Sequence, residues 1–554
     1  MKSSEMKSSG PEEILEKLKR ILIAEKKRAE KEALSREKFS GEVLEEYRDF
    51  SILKFDRRVE PGTFLGCFSG SEVLPYGFVI DSHDRMAIIK KSGCVKDSGD
   101  AETFVEAEST ALYDVQLEML DAFDPESIRP FNPDKISKKI EGLNELDEWQ
   151  NRALSATLSL NDREFLLVVG PPGTGKTRFI SVASRILGKK GKVLVTAHTN
   201  RAVDNVIEKL EPGFAVRLGY YFRLSPAVRK HSLYAGKLGG SIKGDIVELL
   251  EDLKDSERRI RKLISGARVV GATLMKCALT PYPMQEFEYA FVDEASQAIV
   301  SEALAGINCA KKVVFVGDPN QLPPVISCRR PEVFSAFNFF SSLANSLVRN
   351  SGCLWLRNHY RSDVDIIGFS SEHVYGGKLI PLRKRNRLTY INPPGRFRNI
   401  LDPERPAVFV AVRGCEEKEG SSRLNKAEAV VCASLCSELL KCGIYDIGVI
   451  TPYVAQKKLL KSLLGEVGEE VEVNTVDAFQ GREKDVILFS TVSTSDMSFS
   501  SEKKRFNVAV TRARKKLIVL ANPSAFRIRK NRKTLLYSYF LYARERGSVV
   551  SAEP

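Results

Sequence analysis

The chain has no apolar run approaching the roughly 18 residues that a membrane span needs. Its opening stretch, "MKSSEMKSSGPEE", is polar and carries no hydrophobic core of a secretory signal. A soluble, intracellular protein without membrane association is expected; cytoplasm and nucleus are not distinguished. No two of the ten cysteines stand in Cys-x-x-Cys spacing. The tightest group, Cys432, Cys436 and Cys442, has no histidine beside it. Neither structural zinc nor an iron–sulfur cluster is expected, and the cysteines read as buried, reduced thiols. Internal repeats and long low-complexity segments are also missing, as is any single basic tail to account for the charge.

What is present is 554 residues, too many for one compact core and enough for roughly three or four domains. The net charge of +13 is spread along the chain and favours a polyanionic partner, though charge alone is a weak guide. Residues 11 to about 48 read as one charged helix: Pro11 suits a first helical position, Glu12 and Glu13 suit the positive end of the dipole, and Ile14, Leu18, Ile21, Leu22 and Ala29 keep helical spacing. From Ser51 to about Glu108 the period falls to two, as in a small antiparallel barrel. "TALYDVQLEMLDAF" (110 to 123) returns to helix. After Leu143 strand, turn and helix repeat. "FLLVVG", "KVLVTA", "YAFVDE" and "VVFVGD" form one series of uniformly apolar strands. "AVFVAV", "IGVIT", "VEVNTV", "DVILFSTV" and "KKLIVLA" form a second. Such runs suit parallel strands covered on both faces, so two α/β domains are expected. Residues 212 to 265 read as a mostly helical insertion.

"GPPGTGKT", residues 170 to 177, follows an apolar strand and precedes a helix. Gly170, Gly173 and Gly175 let backbone N–H groups curl around phosphate oxygens; Lys176 neutralises the β and γ charges, and the Thr177 hydroxyl can ligate Mg²⁺. Pro171, Pro172 and Thr174 complete the loop. "FVDEASQA" (291 to 298) sets Asp293 and Glu294 side by side after a buried strand, which requires a positive partner. A metal ion supplies it: Asp293 would hold Mg²⁺, and Glu294 would orient and deprotonate the attacking water. The ends of "FLLVVG" and "YAFVDE" are expected to lie side by side at the carboxyl edge of the sheet. Gln321 of "GDPNQLPP" suits the γ-phosphate and water. Arg361 of "HYRS" and Arg512 of "NVAVTRAR" would bring cations from the second α/β domain, coupling hydrolysis to domain closure.

These motifs, in the order "LDEWQ", "GPPGTGKT", "TAHTNRAVDNV", "VVGAT", "FVDEASQA", "VGDPNQLPP", "LRNHYRS", "VNTVDAFQGRE" and "FNVAVTRAR", resemble those of superfamily 1 helicases over about residues 143 to 525. The likeness is to the 5′→3′ branch that contains the nonsense-mediated-decay helicase, the immunoglobulin-mu-binding helicase and the helicase half of the Okazaki-fragment nuclease-helicase. It implies two RecA-like P-loop domains and an ATP- and Mg²⁺-dependent motor on single-stranded DNA or RNA. It further implies Gln150 on the adenine edge, Tyr360 stacked on the base and Glu483 on the ribose. Asn200, Thr273 and Thr475, with Thr199 beside them, would meet the nucleic-acid backbone; a helix N-cap is the competing reading for Thr199 and Thr475. His198 stands where relatives often carry Pro, and His359 where many carry Gln; His359 flanks Tyr360 and would affect stacking.

The expected organisation is a stalk helix (1–48), a small β-barrel (49–108), a returning stalk helix and linker (109–142), a first RecA-like domain (143–345, insertion about 212–265), a second (346–525), and a C-terminal helix and tail (526–554), acting as a monomer. The basic segment from 526 to 546 would pack as a helix on the second domain or extend the nucleic-acid track. The same motifs would also serve a nucleotide-gated nucleic-acid clamp or ribonucleoprotein platform with little unwinding, or, less well, a P-loop switch or small-molecule kinase that never meets nucleic acid. DNA and RNA are not told apart, since no motif here encodes a 2′-hydroxyl contact.

Overall fold

The computed structural model describes residues 10–46, 50–60, 63–70, 72–91, 102–107, 110–138, 143–219, 223–232, 262, 264–279, 287–326, 331–347, 353–383, 385–389, 395–465 and 469–554. Helix α1 (Pro11–Ser35) starts with Pro at its first turn and buries Ile14, Leu15, Leu18, Leu22, Ala29 and Ala33. It ends earlier than the expected 48. From Lys38 to Glu46 the chain is a strand in which Phe39 and Gly41 turn inward. A Cβ at Gly41 would stand 2.7 Å from the rings of Phe55 and Phe104, so only glycine fits that turn of the barrel. The barrel therefore begins inside the span read as stalk. It is closed by six strands in the order Lys38–Glu46, Phe50–Phe55, Met86–Lys91, Glu72–His83, Phe64–Ser69 and Glu102–Glu106. Leu53, Leu65, Val79, Ile89 and Phe104 fill it.

Helix α2 (Ala111–Ala122) returns along α1, tied by Lys26–Asp114 and Lys19–Asp121, both 2.6 Å. Leu18, Leu22 and Leu120 join the core on one face of the first large sheet. The stalk is thus packed on that domain.

The first sheet uses β1 (Glu164–Val169), β2 (Val193–Ala197), β3 (Ala215–Arg217), β4 (Val269–Thr273), β5 (Phe287–Asp293), β6 (Ala310–Gly317) and β7 (Leu354–Trp355). They run parallel in the order β3-β4-β2-β5-β6-β1-β7, and Arg129–Pro130 adds a short strand against β1. Three expectations change here. β3 lies inside the span read as a helical insertion, because Ala215, Val216 and Arg217 are all buried and pair with β4; residues 233–261 of that span lie outside the described residues. β7 lies inside the span assigned to the second domain, yet pairs with β1. And β6 separates β1 from β5, so the phosphate-loop strand and the acid-pair strand are not neighbours.

The second sheet holds β8 (Ala407–Val412), β9 (Ile447–Thr451), β10 (Val471–Thr475), β11 (Lys484–Ser490), β12 (Ala513–Ala521) and β13 (Val549–Ala552), parallel in the order β10-β9-β11-β12-β8-β13. The residues read as tail thus supply the edge strand β13, which pairs with β8 because Val549 and Val550 continue the apolar pattern. Before it, the helix Leu535–Glu545 buries Leu536, Tyr539, Tyr542 and Ala543 against the second sheet. No helix among the described residues is long and apolar enough to cross a membrane.

Candidate nucleotide cleft

The phosphate loop joins β1 to helix Lys176–Gly188. Gly173 and Gly175 take φ of +73° and +79°, the left-handed region that favours glycine. Space is as restrictive as the dihedral: a Cβ on Gly173 would meet His359 Cε1 at 2.4 Å, and one on Gly175 would meet Gln150 Nε2 at 2.6 Å. Thr174 closes the loop on itself through its hydroxyl to the Pro171 carbonyl at 2.7 Å. Lys176 Nζ donates to the Gly170 carbonyl at 2.9 Å and lies 3.5 Å from Glu294 Oε1. The lysine therefore reaches past the end of β6 to the acid pair. A Cβ at Gly317, the last residue of β6, would strike Ser296 Oγ at 2.7 Å. Without that side chain the loop after β5 can close over β6.

Asp293 is buried and Glu294 follows it with φ of +50°. Such a dihedral in a non-glycine residue is uncommon. Burial first, and the adjacent Glu294 carboxylate second, push Asp293 up to about 7, with Lys176 opposing. Its carboxylate accepts the Glu294 backbone N–H at 2.8 Å. Gln297 Nε2 donates to Glu294 at 3.2 Å.

After β7 the chain crosses from the first domain to the second directly over the phosphate loop. Leu356 N–H donates to the Val169 carbonyl and Tyr360 N–H to the Gly173 carbonyl, each at 2.9 Å. His359 is buried between them, with Nδ1 2.8 Å from the Pro172 carbonyl and Nε2 2.9 Å from Ser362 N. It fastens the crossing segment to the loop, immediately before Tyr360. Arg361 is delivered by this crossing rather than by the body of the second domain. Its guanidinium pairs with Glu483, and burial lowers its pKa. Arg512, at the end of the helix Lys503–Val510, is almost fully buried and donates to Gln321 Oε1 at 3.2 Å. Burial first and Arg361 second bring it down to about 10.

These groups line one cleft of about 1340 Å³ between the two sheets. Gln150, Pro171, Pro172, Gly173, Gly175, Lys176, Thr177, Asp293, Glu294, Gln321, Tyr360, Arg361, Glu483 and Arg512 all face it. Gln150 also caps its own helix, accepting Asp147 N–H at 3.2 Å, and donates to the Thr174 carbonyl at 3.1 Å. Tyr360 is partly exposed and donates to Asp147 Oδ2 at 2.6 Å. Gly170 and Thr174 stand behind the lining. A network absent from the sequence reading closes the base of the cleft. Buried Asp318 accepts from Tyr375 at 2.7 Å and from Gln321 at 3.2 Å, while Asn507 donates to Tyr375 at 2.8 Å and to the Asn320 carbonyl at 3.1 Å. "GDPNQLPP" and "FNVAV" contained Asp318 and Asn507, but no spacing rule pairs residues so far apart.

Of the residues assigned to the nucleic-acid backbone, Asn200, Thr273 and Thr475 do not line this cleft, whereas Thr199 does. Thr199 lines the cleft and caps the helix Asn200–Ile207 through Ala202 N–H at 3.3 Å. Asn200 accepts from Arg217 at 2.7 Å, and Thr273 accepts Lys276 N–H at 3.3 Å. Thr273 and Thr475 are the last residues of β4 and β10, at the carboxyl edge of each sheet. Among the described residues no group of three or more His, Cys, Asp or Glu side chains could hold a metal ion.

One AAA domain family matches residues 145–235 and 235–329, and a second AAA domain family matches 338–524. The chain is 30% identical over 433 residues to the DNA polymerase alpha-associated DNA helicase A of Schizosaccharomyces pombe, covering 68% of this chain and 64% of that protein. It is 32% identical over 420 residues to the DNA replication ATP-dependent helicase/nuclease DNA2 of Homo sapiens, covering 70% and 38%. It is 28% identical over 457 residues to an uncharacterized ATP-dependent helicase of Methanocaldococcus jannaschii, covering 67% of each. The chain spans about two thirds of the first of these relatives and well under half of the second.

Proposed function

The chain belongs to the AAA-domain helicases of superfamily 1, and on that premise we propose that it is an ATP-driven 5′→3′ translocase that tracks along one nucleic-acid strand and separates duplexes. The observation that carries this reading is Arg512 of the second domain touching Gln321 of the first, 3.2 Å apart, in the cleft that also holds Lys176 and Glu294. Cations reaching a triphosphate from the far side make turnover depend on how the two domains meet.

The residues suit a magnesium nucleotide. Asp293 is a buried acid next to a second acid, Thr177 lines the same cleft, and a divalent cation would add to the one positive charge that Lys176 brings to the pair. Bound there by Thr177 and Asp293, Mg²⁺ would neutralise charge on the phosphates. Lys176 would bind the β and γ oxygens. Glu294 would orient water and take its proton. Gln321 would sense the γ-phosphate and pass its state to Arg512. Arg361 would stabilise charge as the bond breaks. Gln150 and Tyr360 would hold the base and Glu483 the ribose. Thr199, Asn200, Thr273 and Thr475 would hold the strand along the carboxyl edges of the sheets. Both walls of the cleft come from one chain, so a monomer suffices.

Two of the relatives above have DNA in their names, one as a DNA helicase and one as a DNA replication helicase/nuclease, which favours DNA as the strand. Strand displacement on a duplex with a 5′ overhang tests the reading, run beside ATPase stimulation by single-stranded DNA and RNA. ATP-dependent release with stimulation by DNA is expected. ATP-modulated binding with no release would replace the motor with a clamp, and no stimulation by either strand would remove nucleic acid from the reading.

A further inference from the structure

The segment after β12 carries a strongly charged feature that the cleft does not use. Two short 3₁₀ turns, Pro523–Arg527 and Arg529–Lys533, expose Arg527, Arg529, Lys530, Arg532 and Lys533. One buried side chain fixes this turn. Asn531 Nδ2 donates to the Ser495 carbonyl at 2.9 Å and to the Ala525 carbonyl at 2.8 Å, and its Oδ1 accepts Met497 N–H at 3.3 Å. The cations are thus displayed on a rigid base, at low entropic cost to a ligand. The acids that face them are few. Asp496 holds Lys530 at 2.8 Å, and exposed Glu502 caps the neighbouring helix. Arg527, Arg529 and Lys533 have no acidic partner among the described residues.

Position decides what this charge would meet. The turn follows β12 and locks onto the loop after β11, so it sits at the carboxyl edge of the second sheet. Thr475 ends β10 at the same edge, three strand spacings or about 14 Å along. Between them the loop after β11 exposes Phe499, whose ring carries the Arg505 guanidinium at 4.4 Å and has Tyr453 beside it at 5.3 Å. A basic row beside an exposed, braced aromatic ring suits a chain of phosphates with bases to stack, more than it suits an acidic protein or a lipid surface.

We infer that the turn 527–533 is a phosphate-backbone grip that extends the nucleic-acid track beyond the motif residues, across the carboxyl edge of the second sheet. This rests on the nucleic-acid reading above. The test is the salt dependence of single-strand binding, measured with a fluorescent oligothymidylate, for the full chain and for the triple variant Arg527→Gln/Arg529→Gln/Lys533→Gln. Each phosphate contact contributes about 0.7 to the log–log slope for single strands, so the variant slope should be shallower by about 2. Basal ATPase without a strand should not change, which reports that the cleft is intact. A Lys189→Gln/Lys190→Gln control, at the far end of the phosphate-loop helix, should keep the wild-type slope. An unchanged slope in the triple variant overturns the grip while leaving the translocase standing. So does loss of binding to phosphatidylserine vesicles in that variant with its oligonucleotide slope intact. A wild-type protein that binds no strand sinks both.

Discussion

His359 Nδ1 lies 2.8 Å from the carbonyl oxygen of Pro172, so the crossing segment that carries Arg361 hangs from the phosphate loop by an imidazole. A carbonyl can only accept and the Ser362 backbone N–H can only donate, and that N–H meets Nε2 at 2.9 Å. The ring is therefore neutral with its proton on Nδ1. His359→Leu would leave a buried donor and a buried acceptor unpaired, each costing about 1–3 kcal/mol. Stability should fall by that order, and kcat should fall more than the affinity for ATP, because Arg361 loses its anchor. His359→Gln offers one donor and one acceptor and should restore kcat. Thermal unfolding and steady-state kinetics of the two variants check this.

The same ring makes a pH prediction. Burial, then Arg361, drives His359 down to about 3 from an ordinary value near 6.5. Below pH 6.5 the unfolded chain takes up a proton that the folded protein refuses, so this group's contribution is complete above about 6.5 and is lost as pH falls toward 3. The slope is about 1.4 kcal/mol per pH unit in that window. Unfolding free energy should fall less steeply between pH 6.5 and 4.5 in His359→Gln than in the wild type. Equal slopes in denaturant titrations at both pH values would contradict it.

Gly173→Ala places a methyl 2.4 Å from His359 Cε1 and 2.8 Å from Arg361 Cβ, at φ of +73°. Neither neighbour is free to move, since each is packed in the crossing. The left-handed dihedral alone costs about 1–2 kcal/mol, and the clash adds to it. ATPase activity should be lost with a measurable drop in Tm.

Arg512→Ala removes the contact to Gln321 and a buried cation from the cleft. Fluorescent nucleotide binding should remain within a few-fold, while kcat falls by about 10³-fold or more, the usual worth of an arginine that meets the transferring phosphate. Normal kcat would remove Arg512 from the chemistry.

Lys176→Ala should abolish both binding and hydrolysis, because its Nζ is the cation nearest both the loop carbonyl and Glu294. Glu294→Gln should abolish hydrolysis and keep binding, since the amide preserves shape but cannot take a proton. Equilibrium binding beside single-turnover hydrolysis separates the two.

Much of this protein is determined by local sequence. Glycines at 170, 173 and 175 before Lys-Thr dictate a loop whose backbone can turn left-handed, and uniformly apolar strands dictate parallel sheets with both faces covered. The class of protein and the members of the cleft were legible for that reason: each motif is a short segment whose chemistry is complete within a few residues. What only the tertiary structure decided depends on distant partners. Local periodicity cannot say which sheet a two-residue strand such as Leu354–Trp355 will pair with, or that β6 will lie between β1 and β5. Nor can it say that His359 will be buried against Pro172, or that Asn531 will pin a basic turn to a loop more than 30 residues earlier. Those choices follow from which buried polar groups must find partners once the sheets have formed, and that is settled in three dimensions.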